Sequence, residues 1–250
     1  MVKKYRLTDE YIMIRDVKLF RIEAVKDFKN VKFKNVKKGD KGGFVENENN
    51  LSHDGDCWIY GEAKVFGNAK VYGSAIVCGY AEVYENADIF DNAEVYGNAM
   101  VHGGANVFGS ANVFGNAEVY GCTNVYDNAI VNGYAEVYGY AKIYNNANVF
   151  DNARVFGISQ VCGDAEVCGE ANVCRNALIE SISDYIVFKN WWSSGRYFTW
   201  TRSNNKWKVG CFYGTGDELI AKAYKDSELS GREYERVVKY VESIINEDKI

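Results

Sequence analysis

The sequence contains no proline, two histidines and three methionines among its 250 residues. Every turn therefore falls to glycine, asparagine, aspartate or serine, which tolerate left-handed backbone or bond their own main chain. No stretch approaches the run of about 20 apolar residues that crosses a bilayer as a helix, so no membrane association is expected. The N-terminal run MVKKYRLTDEY lacks the apolar centre of a secretion signal, which predicts a soluble, cytoplasmic protein. Seven cysteines are an odd number, and in that compartment they predict reduced thiols rather than a disulfide framework.

Charge is unevenly spread. Residues 1–50 carry 13 Lys/Arg against 8 Asp/Glu, residues 51–180 carry 5 against 16, and residues 181–250 carry 11 against 10. A basic head on an acidic middle bears on partners rather than on fold.

What the chain has in abundance is aromatic residues, 19 Tyr and 13 Phe, and a beat of six. From Ala63 it repeats Ala-x-Val-aromatic-Gly-Asn, as in Ala63-Lys64-Val65-Phe66-Gly67-Asn68 and Ala93-Glu94-Val95-Tyr96-Gly97-Asn98. The small position departs from Ala only at Thr123 and Ser159, and the branched position holds Val or Ile from Val65 to Ile179. Residues two apart share a face of an extended segment, so Ala and Val point inward while the variable residue and the aromatic point outward. Val suits a strand interior, and the Gly-Asn pair suits a sharp corner. Helical periodicity is excluded. Three hexads close a triangular coil of 18 residues, and about twenty hexads make six to seven coils. At about 4.8 Å per stacked strand the column would be roughly 30 Å long. Its ends need caps.

An aliphatic residue followed four positions later by a small one, as from Val65 to Ala69 and from Val95 to Ala99, resembles the left-handed β-helix hexapeptide-repeat family. The left hand is what that resemblance implies, because ordinary parallel crossovers are right-handed. Lys41-Gly42-Gly43-Phe44-Val45, Asn50-Leu51-Ser52-His53, Cys57-Trp58 and Val209-Gly210-Cys211-Phe212 are similar to segments of the YdcK-like hexapeptide-repeat proteins common in phages and prophages. That likeness covers nearly the whole chain. The expected architecture is mainly β: an N-terminal β cap over 1–61, a single-stranded left-handed parallel β-helix over 62–181, and a C-terminal α+β appendage over 182–250.

Within the cap, Ile12–Ile14 and Lys18–Ile22 alternate like strands, and Lys38–Gly43 reads as a glycine-rich turn rather than a phosphate cradle, since no helix pattern follows it. In the appendage, 185–188, 196–202 and 206–212 read as three antiparallel strands. Helices are expected at Asp217–Tyr224 and Tyr234–Ile245.

The resemblance implies a possible chemistry, since many hexapeptide-repeat proteins transfer acyl groups from acyl-CoA or acyl carrier protein, with a histidine base between trimer subunits. The two candidates are His53, next to Asp54, and His102, which stands at an outward aromatic position. The repeats carry no inserted loop from Ala63 to Ala177, and the loops that shape acyl-CoA sites in such transferases are therefore missing. No metal is expected. Cys162, Cys168 and Cys174 recur six apart and so lie on three different faces; they read as small replacements that leave room for the appendage.

The outward aromatics stack in rows 18 residues apart. One row is Phe66, Tyr84, His102, Tyr120, Tyr138 and Phe156; a second is Tyr72, Phe90, Phe108, Tyr126 and Tyr144; a third, with Tyr96, Phe114 and Phe150, is broken by Asn132. Self-stacking explains such ladders, but three exposed stripes exceed what a solitary protein shows. Tyr84, Tyr120, Tyr138, Phe90, Phe108, Tyr126 and Tyr144 are therefore the candidate binding residues, for a protein partner or a second copy of the chain. Trp191, Trp192, Trp200 and Trp207 lie among basic residues as in single-strand nucleic-acid sites, yet the segment has no broad basic field, which disfavours nucleic acid. The expectation is a noncatalytic binding scaffold without cofactor, phage- or prophage-encoded and occupying a host macromolecule as an inhibitor or an acidic nucleic-acid mimic. The alternative is an acyl-CoA-dependent acyltransferase.

Overall fold

The computed structural model describes residues 3–14, 16–29 and 35–247. Residues 1, 2, 15 and 30–34 of the expected cap, and 248–250 of the appendage, lie outside the described residues.

Each hexad contributes one two-residue strand and one corner. Successive strands fall on three different sheets, each strand pairing in parallel with its counterpart one coil away. The register joins residues 18 apart, Lys64 with Glu82 and Val65 with Val83. From Ala63 to Ile179 every side chain at the two inward positions is at most 1% exposed. The two polar exceptions are satisfied locally: the Thr123 hydroxyl donates to the Tyr120 carbonyl, and Ser159 Oγ donates to the Phe156 carbonyl at 2.7 Å. Corners take positive φ, and acids replace glycine where their side chains find a use. Asp91, Asp127 and Asp151 have φ of 56–59°. Their carboxylates accept from the amides of Gly109, Asn145 and Gly169 one coil on, which offsets the strain of the left-handed backbone.

The solenoid has about eight coils rather than six to seven. The extra coil precedes the hexads. Strand β3 (Lys41–Val45) pairs with Lys64–Val65, Leu51 bridges to Val71, and Trp58–Ile59 pairs with Ile76–Val77. The glycine-rich segment is thus not one turn. Lys38-Gly39 turns, but Gly42 and Gly43 lie in β3, where an added Cβ would fall 2.6 Å from the Ile59 carbonyl oxygen and 2.4 Å from that of Ala63. Those glycines mark close backbone approach.

Outside the paired strand residues the inter-coil hydrogen bonds run one way: Lys64 N donates to Ala81 O at 2.9 Å and Phe66 N to Val83 O at 3.0 Å, and the pattern repeats down the column, while the parallel ladder of each two-residue strand returns a bond the other way. The N-terminal end consequently presents chiefly carbonyls and the C-terminal end chiefly amides. The caps match. A hairpin of β1 (Tyr5–Ile14) and β2 (Val17–Ala24) lies antiparallel to β3 and brings side-chain donors. Lys4 Nζ reaches the carbonyls of Gly55 (3.2 Å) and Cys57 (2.8 Å), Tyr5 Oη that of Leu51 (2.8 Å), and Arg21 those of Gly42 (2.9 Å) and Gly61 (3.1 Å). At the other end the appendage brings acceptors. Tyr185 Oη, Thr199 Oγ1, Ser203 Oγ and Asp184 Oδ2 take the amides of Cys168 (3.2 Å), Asn172 (2.9 Å), Leu178 (2.8 Å) and Glu180 (2.9 Å).

The appendage is a four-stranded antiparallel sheet, Tyr185–Lys189, Tyr197–Thr201, Lys206–Val209 and Phe212–Gly214, followed by α1 (Gly216–Asp226) and α2 (Glu228–Glu247). One expected strand splits in two because Gly210, at φ 54°, turns the chain back. Helix α2 starts at Glu228, six residues earlier than Tyr234, running through Ser230-Gly231. Gly231 is a contact residue rather than a breaker: a Cβ there would lie 2.2 Å from the Tyr224 ring, so the glycine lets α1 and α2 close. Phe198, Trp200, Trp207, Val209, Leu219, Val238 and Val241 form its own core, separate from the column's.

Removing a cap acceptor strands a buried amide. Thr199→Val is expected to lower unfolding free energy by about 1–3 kcal/mol, whereas Thr199→Ser, which keeps the oxygen, stays within about 1 kcal/mol of wild type. Denaturant midpoints of the two variants check this; equal midpoints would remove the acceptor from the account of the cap.

Candidate functional site

The aromatic rows form as ladders. Ring centroids of successive members are 4.6–5.1 Å apart and within 7° of parallel, from Phe66 to Phe156 in the first row and Tyr72 to Tyr144 in the second. In the third, Tyr96 stacks on Phe114 at 4.7 Å, and Asn132 instead donates from Nδ2 to Asn148 Oδ1 at 3.1 Å. Self-stacking accounts for the spacing, which is that of the strands.

The rows are not equally open. The β1–β2 hairpin lays Leu19, with Ile12, Ile14 and Val17, over Phe44, Phe66 and Tyr84. Tyr84 is therefore covered and stands outside the exposed surface. At the far end the small cysteines do make room: Tyr185 comes within 3.6 Å of Cys168 Sγ, and Tyr185 and Val187 pack on the column's core. Between the caps, Phe90, Phe108, Tyr126 and Tyr144 of the second row stay half-buried along its length, as do Tyr120 and Tyr138 of the first.

One face gathers more than a ladder. Its sheet runs from β3 through Lys64–Val65 to Asn172–Val173. Across the C-terminal half of that face lie Glu118, Glu136 and Arg154, then the half-buried rings of Tyr120, Tyr138 and Phe156. Both bordering corners carry exposed apolar side chains: Tyr134 (65% exposed) on one, Tyr140 (65%) and Ile158 (61%) on the other. Tyr134, Glu118, Glu136, Arg154 and Glu170 line an open groove of about 520 Å³. Arg154 pairs with Glu136 at 2.8 Å, partly neutralising the floor. Burial, then Tyr138 and the carboxylates of Glu136 and Glu118, pushes the Tyr120 hydroxyl above its ordinary range. Burial likewise raises that of Tyr138, with Arg154 opposing. These phenols are neutral hydrogen-bonding edges of a ring ladder at physiological pH.

Tyr134, Tyr140 and Ile158 were missed from sequence because they occupy the second corner position, where Asn predominates. The available signal was an apolar side chain where the repeat demands a polar one.

The histidines are held structurally. His102 stacks between Tyr84 and Tyr120, with Nε2 3.0 Å from Glu118 Oε1 and Nδ1 3.6 Å from Glu85 Oε2. Both nitrogens thus face carboxylates. His53 lies under the N-terminal cap, its ring 4.3 Å from that of Tyr5, its Nδ1 accepting from the Lys4 amide at 3.3 Å and its Nε2 3.7 Å from Glu48. The two are not brought together. Among the described residues no three His, Cys, Asp or Glu side chains converge as a metal site requires. Trp200 and Trp207 are buried in the appendage core and Trp192 packs against it, while Trp191 is 80% exposed. Among the described residues no helix is long and apolar enough to cross a membrane.

No family model matches the chain, and no curated protein matches it either.

Burial pushes Tyr60 and Tyr185 from an ordinary 10 up to about 12, and Tyr144 reaches about 12 chiefly through its hydrogen bond with Cys162. A raised acid pKa favours the protonated, folded state. Its stabilisation is complete below pH 10 and is lost as pH rises from 10 toward 12. Ultraviolet titration is expected to show a tyrosinate fraction appearing above the ordinary range together with falling thermal stability. Titration of every tyrosine near 10 without loss of stability would contradict the assignment.

Proposed function

We propose that the protein is a noncatalytic binding scaffold that holds a basic protein surface against the face carrying Tyr120, Tyr138, Phe156, Tyr140 and Ile158. The observation that carries this reading is the exposed apolar ridge of Tyr140 and Ile158, flanking preformed half-open rings beside Glu118 and Glu136. Rigid aromatic anchors bind at low entropic cost, and apolar patches with a polar rim are what interfaces use. The acidic balance of residues 51–180, 5 Lys/Arg against 16 Asp/Glu, favours encounter with a cationic partner. The similarity of several segments to YdcK-like phage proteins supports a host macromolecule as target and left-handed coils as scaffold. An inhibitory role, by occlusion of a basic functional surface, follows from both.

Affinity capture from nuclease-treated bacterial lysate, with wild type, Tyr138→Ser and Ile158→Asp side by side, tests the reading. A stoichiometric partner is expected whose affinity falls by about 2 kcal/mol, roughly thirtyfold, in each folded variant. A partner held equally by all three overturns it. Acyl-CoA turnover lost in His102→Ala would establish the acyltransferase instead.

A further inference from the structure

Beneath the N-terminal cap, a lysine and a cysteine that the binding face does not use are held in contact. Lys4 is 1% exposed and Cys57 is fully buried, and Lys4 Nζ lies 3.1 Å from Cys57 Sγ. The amine is fixed there by two further bonds, to the carbonyls of Gly55 (3.2 Å) and Cys57 (2.8 Å), so its three donors have three acceptors. No reorganisation is needed to bring nitrogen to sulfur. Cys57 lies two residues from Asp54-Gly55, which are exposed to solvent.

We infer that Lys4 and Cys57 form an oxidation site, in which hydrogen peroxide converts the pair into a covalent sulfur–nitrogen cross-link. Peroxide oxidises the Cys57 sulfur by two electrons, giving the sulfenic acid and one water. The Lys4 nitrogen lone pair then attacks that sulfur, the S–O bond breaks, and hydroxide departs as a second water with a proton from nitrogen. The product is a sulfenamide, with two hydrogens removed from the pair, and a thiol reductant restores both side chains. Close contact supplies each required form. Transfer of the thiol proton to the amine in contact with it gives the thiolate that reacts in the first step. Burial pushes the Lys4 amine down and the Cys57 thiol up, so the lysine readily yields the free amine needed for the second. The cross-link ties the residue preceding β1 to the first coil, locking the cap onto the carbonyl end of the column.

The full-length protein is treated with hydrogen peroxide, digested and read by mass spectrometry. The expected product joins the Lys4 and Cys57 peptides at their summed mass less two hydrogens, disappears with dithiothreitol, and raises the thermal midpoint until reduced. Lys4→Arg, which keeps donors but not a nucleophilic amine, is expected to give no cross-link and severalfold more dimedone labelling of Cys57. Equal labelling of Cys57 in wild type and Lys4→Arg without a cross-linked peptide overturns the inference. So does a Cys57 that stays reduced while the exposed Cys122 and Cys211 are oxidised. The wild-type measurement decides even where Lys4→Arg folds poorly.

Discussion

In each hexad most of the inter-coil amides donate to carbonyls one coil further along, as Lys64 to Ala81, Phe66 to Val83 and Asn68 to Glu85, and only the two-residue strand ladder returns a bond. A sheet edge normally offers donors and acceptors alternately. This column instead sorts most of them, chiefly carbonyls at one end and chiefly amides at the other, and the two ends need chemically different caps. The appended segments answer that demand residue by residue. Lys4, Tyr5 and Arg21 supply N–H and O–H groups where oxygens are bare; Thr199, Ser203 and Asp184 supply oxygens where amides are bare. The same sorting gives a reason for the basic head: cationic side chains stand where backbone partial charge is negative, as they do at a helix C-terminus. A buried lysine, costly elsewhere, is here a donor to the carbonyls of Gly55 and Cys57.

With the core reduced to Ala and Val, and the ends closed, the outward positions answer to weaker constraints. A stacked ring pair contributes about 0.5–1.5 kcal/mol, similar to one net backbone hydrogen bond, so a ladder suffices to hold its rings but does not dictate what borders them. Tyr134, Tyr140 and Ile158 occupy such bordering places at no benefit to the column, since each is largely in solvent. Side chains that the fold does not need, gathered on one face, are the observation on which the proposed contact surface rests.

The repeat was legible because inward small and branched residues, outward rings and corner Gly-Asn pairs all report the same period. The first coil was not, because Leu51 and Trp58–Ile59 carry the inward pattern without the beat, and Gly42-Gly43 looks like a turn although its glycines admit a neighbouring backbone. Helix α2 was cut short for a similar reason: Gly231 suits a break locally, and only the Tyr224 ring packed over it explains its place inside a helix. Of the candidate face, the ring positions Tyr120 and Tyr138 followed from period alone. Which rings remain open depended on where the hairpin folds back, as over Tyr84, a long-range fact that no local pattern encodes.

Because each cap touches only the coils at its own end, neither senses how many coils lie between them. Inserting or deleting one 18-residue unit would leave both junctions as they are and move the ends by one strand spacing, about 4.8 Å. The column is in this sense a ruler graduated in coils, along which a lineage can lengthen or shorten its reach by in-register duplication without redesigning either end.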